Sequence, residues 1–252
     1  FLNIMRALAV LLVVNSHIDS LYPIAALGTG GIFGNSLFFF VSGYGLYLSQ
    51  NKTEPFFSWI KRRLQRIYDP VFVIFTLLVL VGFYSITSFK DFVFLFVIPT
   101  HHWFLAAIIL LYIPIYFVLR HQIDKKKYIT ITLGTLVLYT ISYVAFVNKD
   151  IWNLENVFQF KIIFYFLTML LGVYCSQYRH ELKLNFRKDI ILFIAATIAF
   201  FGFLAFLKVT SLYELQFITH LFAMAWLYYA YKVMSTQRFV DFMRPKFGGL
   251  ID

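Results

Sequence analysis

Two ionisable side chains interrupt the first apolar stretch of the chain, residues 1–21, where a lipid-facing helix would carry none. They are Arg6 and His17. Their separation of 11 residues places both on one face of an α-helix, about 16.5 Å apart along its axis, with Val10 and Val13 between them. Because ionisable groups at membrane depth nearly always face a bundle interior or an aqueous cavity, this face is predicted to line a site.

The chemistry that suits this pair is acid–base or nucleophilic catalysis beside a fixed positive charge. Imidazole has an ordinary pKa near neutrality and serves as a general base or as a nucleophile. Arginine can hold a phosphate group or stabilise a developing oxyanion. The helix by itself also allows a structural interpretation, in which Arg6 marks one membrane face and His17 is a hydrogen-bonded core residue.

Three arginines cluster after the second apolar stretch, in the segment Lys61-Arg62-Arg63-Leu64-Gln65-Arg66. On a short helix Arg62 and Arg63 lie one turn before Arg66, so three guanidinium groups can converge on one point. The planar guanidinium fork suits recognition of a phosphorylated ligand. Binding of lipid headgroups or enforcement of membrane topology is the alternative, and the segment by itself favours it.

Two histidines and a tryptophan, His101, His102 and Trp103, stand where another apolar stretch begins. A tryptophan in this position can anchor a helix at the membrane interface or stack on the apolar face of a sugar. No metal site is predicted, since no third ligand at metal-site spacing accompanies the histidines. Ser42 lies in a stretch rich in small residues, which indicates close packing between helices.

The elements that position these residues are membrane helices. Of the 252 residues, 61% are hydrophobic and 13% charged, and the mean hydropathy is +0.76; soluble domains are nearer half apolar and a quarter charged. Eight apolar stretches are long enough to cross a bilayer, at residues 4–22, 31–49, 70–88, 103–119, 128–147, 161–177, 189–207 and 215–234. The prediction is an all-α, polytopic transmembrane helical bundle that forms one domain over residues 1–252.

The basic residues are distributed unevenly over the connections between these stretches. If the first stretch enters the membrane from the cytoplasm, 18 of the 22 basic residues lie in cytoplasmic segments. This bias predicts a cytoplasmic amino terminus and explains most of the net charge of +10 as membrane topology. Membrane lipids are therefore expected partners, and nucleic acid is not.

Taken together, these residues resemble the membrane-bound acyltransferase-3 family. Arg6 and His17 match the paired Arg and His of its first helix. The letters FFFVSGY at residues 38–44 are similar to its second-helix motif, residues 63–66 to its Arg-x-x-Arg loop, and residues 101–105 to its His-x-Trp-aromatic-Leu element. The matches cover residues 1 to about 105, and beyond them only the helical pattern agrees.

The resemblance implies an O-acyltransferase of the plasma membrane. It would take an acyl group, usually acetyl, from cytoplasmic acyl-CoA as co-substrate and transfer it to a hydroxyl of a cell-envelope glycan or lipid-linked saccharide, with no tightly bound cofactor. The site residues that it implies are catalytic His17 and Arg6, donor-binding Arg62, Arg63 and Arg66, and acceptor-contacting or site-lining Ser42, His101, His102 and Trp103. Family members typically have ten membrane helices, so two more are expected after the last residue.

Two other classes of function fit parts of the sequence. A non-enzymatic transporter or exporter of a polysaccharide or its precursor would use Arg6 and His17 to line a pathway, and it should carry further ionisable residues deep in other spans. Spans three, five and seven show none, and Lys161 and Glu214 lie at span ends. A structural scaffold with a headgroup-binding basic loop leaves His17 unexplained.

Overall fold

The structure is a computed structural model that describes residues 2–23, 28, 31–50, 53–97, 103–121 and 123–251. Most of these residues are helical. The α-helices are α1 (Leu2–His17), α2 (Gly31–Leu48), α3 (Phe56–Leu80), α4 (Phe89–Phe92), α5 (Trp103–Arg120), α6 (Lys125–Phe146), α7 (Phe158–Gln177), α8 (Phe186–Thr210), α9 (Ile218–Met234) and α10 (Gln237–Ile251). No β-strand occurs within the described ranges, so the all-α prediction is confirmed.

Each predicted membrane span corresponds to one of these helices. Five of them, α2, α5, α6, α7 and α8, are long and apolar enough to cross a membrane, and α1 is a shorter apolar helix. The short α4 and the carboxy-terminal α10 were not among the predicted spans. The chain therefore has the composition and helix lengths of a polytopic membrane protein.

The chain forms two compact units. The first comprises Phe1–Ser49 and Lys125–Asp252, and the second comprises Gln50–Asp124. In the first unit α2 packs against α1, α7 and α9, while α8 packs against α9 and α6 against α7. In the second unit α3 packs against α5 and against the π-helical segment Val93–Val97 that follows α4. The assignment of the whole chain to one domain stays a prediction.

Glycines allow α2 to contact helices on two opposite faces. A Cβ built on Gly34 would lie 2.7 Å from Cγ2 of Val13 and 2.9 Å from the carbonyl oxygen of Ala9, both in α1. A Cβ on Gly43 would lie 2.0 Å from the carbonyl oxygen of Met169 in α7. The two glycines are 9 residues apart, about two and a half turns, so they face opposite sides of α2. The interpretation that small residues permit close helix approach here is confirmed.

The start of α3 differs from the prediction. A span over 70–88 was expected after a separate short helix, whereas one helix of 25 residues begins at Phe56. This helix passes through Pro70, which lacks the N–H that would bond to the carbonyl oxygen of Arg66. The arginine segment is thus the amino-terminal half of α3, and the predicted boundary at Pro70 is wrong.

The end of α3 is set by a glycine. Gly82 has a φ of 77°, in the left-handed region that only glycine adopts readily. The amide of Phe83 donates to the carbonyl oxygen of Leu78 at 2.8 Å, and the amide of Gly82 donates to that of Val79 at 3.0 Å. These two hydrogen bonds form a Schellman motif, which ends the helix eight residues before the predicted limit of 88.

Candidate active site

Arg6 is held at the contact between α1 and α2. Its Nη1 donates a hydrogen bond of 2.9 Å to Oδ1 of Asn3, one turn earlier in α1. A Cβ built on Gly45 of α2 would lie 3.6 Å from Nη2 of Arg6, so the guanidinium group lies against the glycine-lined side of α2. The side chain is nevertheless exposed. α1 therefore presents a positioned, accessible positive charge beside Gly45.

The face of α1 that carries Arg6 and His17 runs along the edge of its contact with α2. Near its carboxy-terminal end, Oγ of Ser16 would lie 3.2 Å from a Cβ built on Gly31. On the side away from α2, Val10 is 47% exposed. The buried residues of α1 are Ile4, Met5 and Ala9. α1 is thus covered by α2, and it also packs against α10. Of the face predicted to line a site, Arg6, Val10 and His17 are exposed, whereas Val13 packs against Gly34.

His17 is the last residue of α1 and is exposed. The prediction that the first helix continues to residue 22 is wrong, because the chain leaves the helix after His17 and forms a short 3₁₀ turn at Asp19–Leu21. The hydroxyl of Tyr22 folds back and donates to Oδ1 of Asn15 at 2.5 Å. The imidazole is therefore accessible at a helix end rather than enclosed by the bundle.

The three arginines lie on adjacent turns of α3, as their spacing predicts. Arg62 and Arg66 are exposed, whereas Arg63 is 6% exposed. The guanidinium carbon of Arg63 lies 5.6 Å from the centre of the Trp59 ring, which is a cation–π contact. We call Arg62, Arg63 and Arg66 the arginine cluster. It combines two accessible guanidinium groups with a third that is packed on an aromatic ring.

The charges of the arginine cluster act on one another. Burial lowers the pKa of Arg63 below its ordinary value, and the positive charges of Arg66 and Arg62 lower it further. Arginine keeps its charge in proteins, so the direction of this pKa shift reflects repulsion and desolvation within the cluster. An anion bound among the three groups would relieve that repulsion.

Aromatic residues of α5 hold the buried side of the arginine cluster. The ring of Trp59 contacts the rings of Tyr112 and Tyr116, with centroid distances of 5.7 and 5.3 Å. Tyr116 also meets Phe56, in the first turn of α3, edge-to-face at 5.0 Å. Such aromatic pairs contribute about 0.5–1.5 kcal/mol each beyond the area that they bury. The helix that carries the arginines is therefore anchored firmly to α5.

Glu54, just before α3, lies beside the arginine cluster and was not predicted from the sequence. Its carboxylate forms an ion pair with Arg62. Its backbone carbonyl accepts hydrogen bonds from the hydroxyl of Tyr116 at 3.1 Å and from Nη1 of Arg120 at 3.4 Å. No local spacing could have revealed these contacts, because the two donors lie 62 and 66 residues further along the chain.

The remaining predicted site residues belong to α2, to α5 and to the segment just before α5. Trp103 is the first residue of α5, is half-buried, and its ring meets that of Phe104 edge-to-face at 6.0 Å. His101 and His102 lie outside the described residues. Ser42 is half-buried on α2. Trp103 thus occupies a helix end, which suits either an interfacial anchor or an acceptor contact.

Further ionisable side chains are buried near helix ends, and only Lys161 among them stood out in the sequence. Asp189, near the start of α8, is fully buried and accepts a bond of 2.6 Å from Nζ of Lys232 in α9. His220, near the start of α9, is 2% exposed and lies 3.0 Å from the hydroxyl of Tyr139. Lys161 lies in the first turn of α7. These positions do not provide the mid-span ionisable pathway that a transporter would need.

Comparison with known protein families decides between the candidate classes of function. A family model described as "Acyltransferase domain" matches residues 1–245, which is nearly the whole chain. The chain belongs to the acyltransferase-3 family. Comparisons with curated proteins and with solved structures gave no match. The protein is therefore a membrane acyltransferase that transfers groups other than aminoacyl groups, and the transporter interpretation loses its support.

Membership in the acyltransferase-3 family gives the described residues a common context. Arg6, His17 and Ser42 belong to the first unit, and the arginine cluster and Trp103 belong to the second. The histidine supplies the side chain with proton-transfer chemistry, and the cluster supplies the concentrated positive charge. All of these residues lie within the segment that the family model matches.

Proposed function

We propose that this acyltransferase moves an acyl group, most simply acetyl, from acyl-CoA at the cytoplasmic face of the plasma membrane to a hydroxyl of a cell-envelope glycan or lipid-linked saccharide. The arginine cluster is the observation that carries the proposal. CoA is a polyanion that cannot enter hydrocarbon, so its phosphates need a positively charged site outside the lipid. The mutually repelling guanidinium groups of α3 suit that role.

The proposed reaction exchanges a thioester for an oxygen ester. The oxygen of the acceptor hydroxyl attacks the thioester carbonyl carbon, the carbon–sulfur bond breaks, and the hydroxyl proton ends on the CoA thiolate. His17 takes that proton as a general base, or first accepts the acyl group on an imidazole nitrogen and passes it to the hydroxyl. The exposed position of His17 at the end of α1 is compatible with both routes.

Arg6 is proposed to act on the donor rather than on the oxyanion at His17. Its guanidinium group bonds to Asn3, so it points toward the amino terminus and away from His17. The helical rise separates the two residues by about 16.5 Å, which is too far for one side chain to reach atoms at the other. A phosphate or the amide groups of the pantetheine arm are suitable partners for Arg6 at that level.

The proposed orientation places the amino terminus and the arginine cluster in the cytoplasm, because 18 of the 22 basic residues are then on that side. Inside-out vesicles test it. Labelled acyl-CoA added outside such vesicles should lead to acylation of acceptor enclosed within them. Label found only on acceptor that shares the CoA compartment would contradict transfer across the membrane.

Mass spectrometry of cell-envelope glycans, with and without the protein, would then identify the acceptor by the acyl mass that is lost.

Removing two charges of the arginine cluster tests donor binding. Arg63→Gln combined with Arg66→Gln should weaken acyl-CoA binding by about a hundredfold or more, since each of the two lost bonds between charged partners costs about 1.5–3 kcal/mol. The remaining affinity should also depend less on salt. Isothermal titration of the purified variant in detergent measures both effects.

A matched control removes two exposed basic residues elsewhere. Arg187→Gln with Lys188→Gln changes the net charge equally at the start of α8, and it should leave the affinity for acyl-CoA within about twofold, since exposed charges contribute little. If the arginines only set the membrane topology, the α3 double variant should change membrane insertion and leave CoA binding normal. In that case the α3 double variant would alter loop accessibility to membrane-impermeant labels, while correctly inserted protein would bind CoA normally.

Trp103 is proposed to contact the acceptor or to close the site beneath it. Trp103→Ala should lower transfer to glycan by about tenfold, the effect of losing one sugar-stacking contact of roughly 1.5 kcal/mol, while CoA affinity stays unchanged. The measurement is the transfer rate at saturating acyl-CoA as the acceptor concentration varies. The control is Trp152→Ala, because Trp152 is also half-buried but lies outside the helices. Equal losses in both variants would indicate that Trp103 only anchors its helix.

A further inference from the structure

Glu54 is fixed beside the arginine cluster by contacts at both of its ends. Tyr116 and Arg120 of α5 hold its backbone carbonyl. Because Glu54 precedes Pro55, its backbone is restricted to extended conformations. Its side chain is 13% exposed and meets that of Arg62, which is 44% exposed. The carboxylate of Glu54 is therefore held in place beside the arginine cluster, where it pairs with Arg62 alone.

The ion pair makes Arg62 different from its two neighbours. The carboxylate oxygen Oε2 accepts from Nη2 of Arg62, as an oxygen of a bound phosphate would accept from the same guanidinium fork. An anion can use Arg62 fully only if it displaces Glu54. Arg63 and Arg66, one helical turn apart, form the rest of the cluster.

The charge of the incoming group decides whether it can displace the carboxylate. Each phosphate in the diphosphate bridge of a nucleotide carries one negative charge, as Glu54 does. A phosphate monoester carries about −1.5 to −2 charges at pH 7. Ion pairs at protein surfaces are worth about 0.2–1 kcal/mol, and the partly exposed pair of Arg62 with Glu54 should lie near the upper end of that range. The more highly charged monoester can therefore replace the carboxylate, while a singly charged group gains little by doing so.

We infer that Arg62, paired with Glu54 in the empty site, forms a subsite for the phosphate monoester of the donor, while Arg63 and Arg66 bind its diphosphate. The inference rests on the proposed use of acyl-CoA, whose adenosine carries such a monoester at the 3′ position. Glu54 is then a specificity-determining residue. Its carboxylate pairs with Arg62 in the empty site and is displaced when a dianion binds. The subsite distinguishes acyl-CoA from an otherwise identical donor that lacks the monoester.

The test compares the binding of CoA and of 3′-dephospho-CoA by isothermal titration at fixed ionic strength. Wild-type protein should bind CoA more tightly. Arg62→Gln should weaken CoA binding by about tenfold, to the level of dephospho-CoA, since one charge-assisted contact is lost. Glu54→Gln should tighten CoA binding by about three- to fivefold, because the competing ion pair is removed. Neither variant should change dephospho-CoA binding more than twofold.

Dephospho-CoA also reports on folding, because a misfolded variant would lose its binding as well. The combined variant Glu54→Gln with Arg62→Gln should behave as Arg62→Gln alone, since the competitor matters only while Arg62 is present. The inference is overturned if Glu54→Gln weakens CoA binding, if either variant shifts both ligands by the same factor, or if Arg62→Gln still discriminates between them. Absence of binding of either ligand to the wild-type protein would instead overturn the proposed donor.

Discussion

Alanine in place of His17 is expected to lower acyl transfer by about 10²- to 10⁴-fold, the contribution typical of a general acid–base group. Among the side chains on the Arg6–His17 face, the imidazole alone is of a type suited to proton transfer at neutral pH. His17 is exposed at the end of α1 and is not one of the buried residues of that helix. The variant should therefore insert and accumulate normally, and its affinity for acyl-CoA should change little.

The measurements are transfer of labelled acyl groups, protein level in the membrane, and binding of acyl-CoA. His180→Ala is the matched control, because His180 is also an exposed histidine just beyond a helix end; it should keep near-normal transfer. Near-normal transfer by the His17 variant would refute the catalytic assignment. A trapped acyl group on His17 in wild-type protein, found by mass spectrometry after rapid quenching, would select the acyl-imidazole route over the general-base route.

The helical fold could be predicted from the sequence because apolar stretches of about 20 residues fix membrane helices by length alone. The limits of α3 were harder to place. Hydropathy counted residues 81–88 as part of the span, although Gly82 is the residue type that ends helices in the left-handed conformation. At the other end, Pro70 was taken as a start, whereas the preceding polar turns continue the same helix.

The spacing of Arg62, Arg63 and Arg66 predicted their common location, since neighbours three and four residues apart meet on any helix. Their different surroundings could not be predicted in this way. The burial of Arg63 depends on Trp59 and on α5, and the pairing of Arg62 depends on Glu54. Such contacts join residues through tertiary packing, which leaves no periodic pattern in the sequence.

The face of α1 that carries Arg6 and His17 illustrates a similar limit. The spacing of Arg6 and His17 showed that they share a face, but it could not show which side of the helix a neighbour covers. Glycines on α2 decide this, because Gly34 and Gly45 allow α1 to approach at Val13 and Arg6. Arg6 and His17 stay exposed beside this contact.

The contact between α2 and α7 should be the most sensitive position in the first unit. A Cβ on Gly43 would lie 2.0 Å from the carbonyl oxygen of Met169, and a Cβ on Gly172 would lie 2.0 Å from that of Phe40. Both obstacles are backbone atoms, which cannot rotate away as a side chain can. Gly43→Ala or Gly172→Ala should therefore destabilise the protein by about 3 kcal/mol, the upper end of the usual cost of overpacking, or more.

Alanine at two other helical glycines provides the control for this expectation. Among the described residues, no neighbouring helix or side chain comes within 4 Å of a Cβ added to Gly134 in α6 or Gly202 in α8. Alanine there should therefore be neutral or stabilise the helix by about 0.5–1 kcal/mol. Thermal unfolding in detergent, with size-exclusion chromatography to detect aggregation, compares the four variants. The combined variant Gly43→Ala with Gly172→Ala should lose less than the sum of the single losses. Once the helices have moved apart for one Cβ, the second meets a wider gap. Unfolding temperatures close to wild type for Gly43→Ala and Gly172→Ala would show that α2 and α7 do not approach through these glycines.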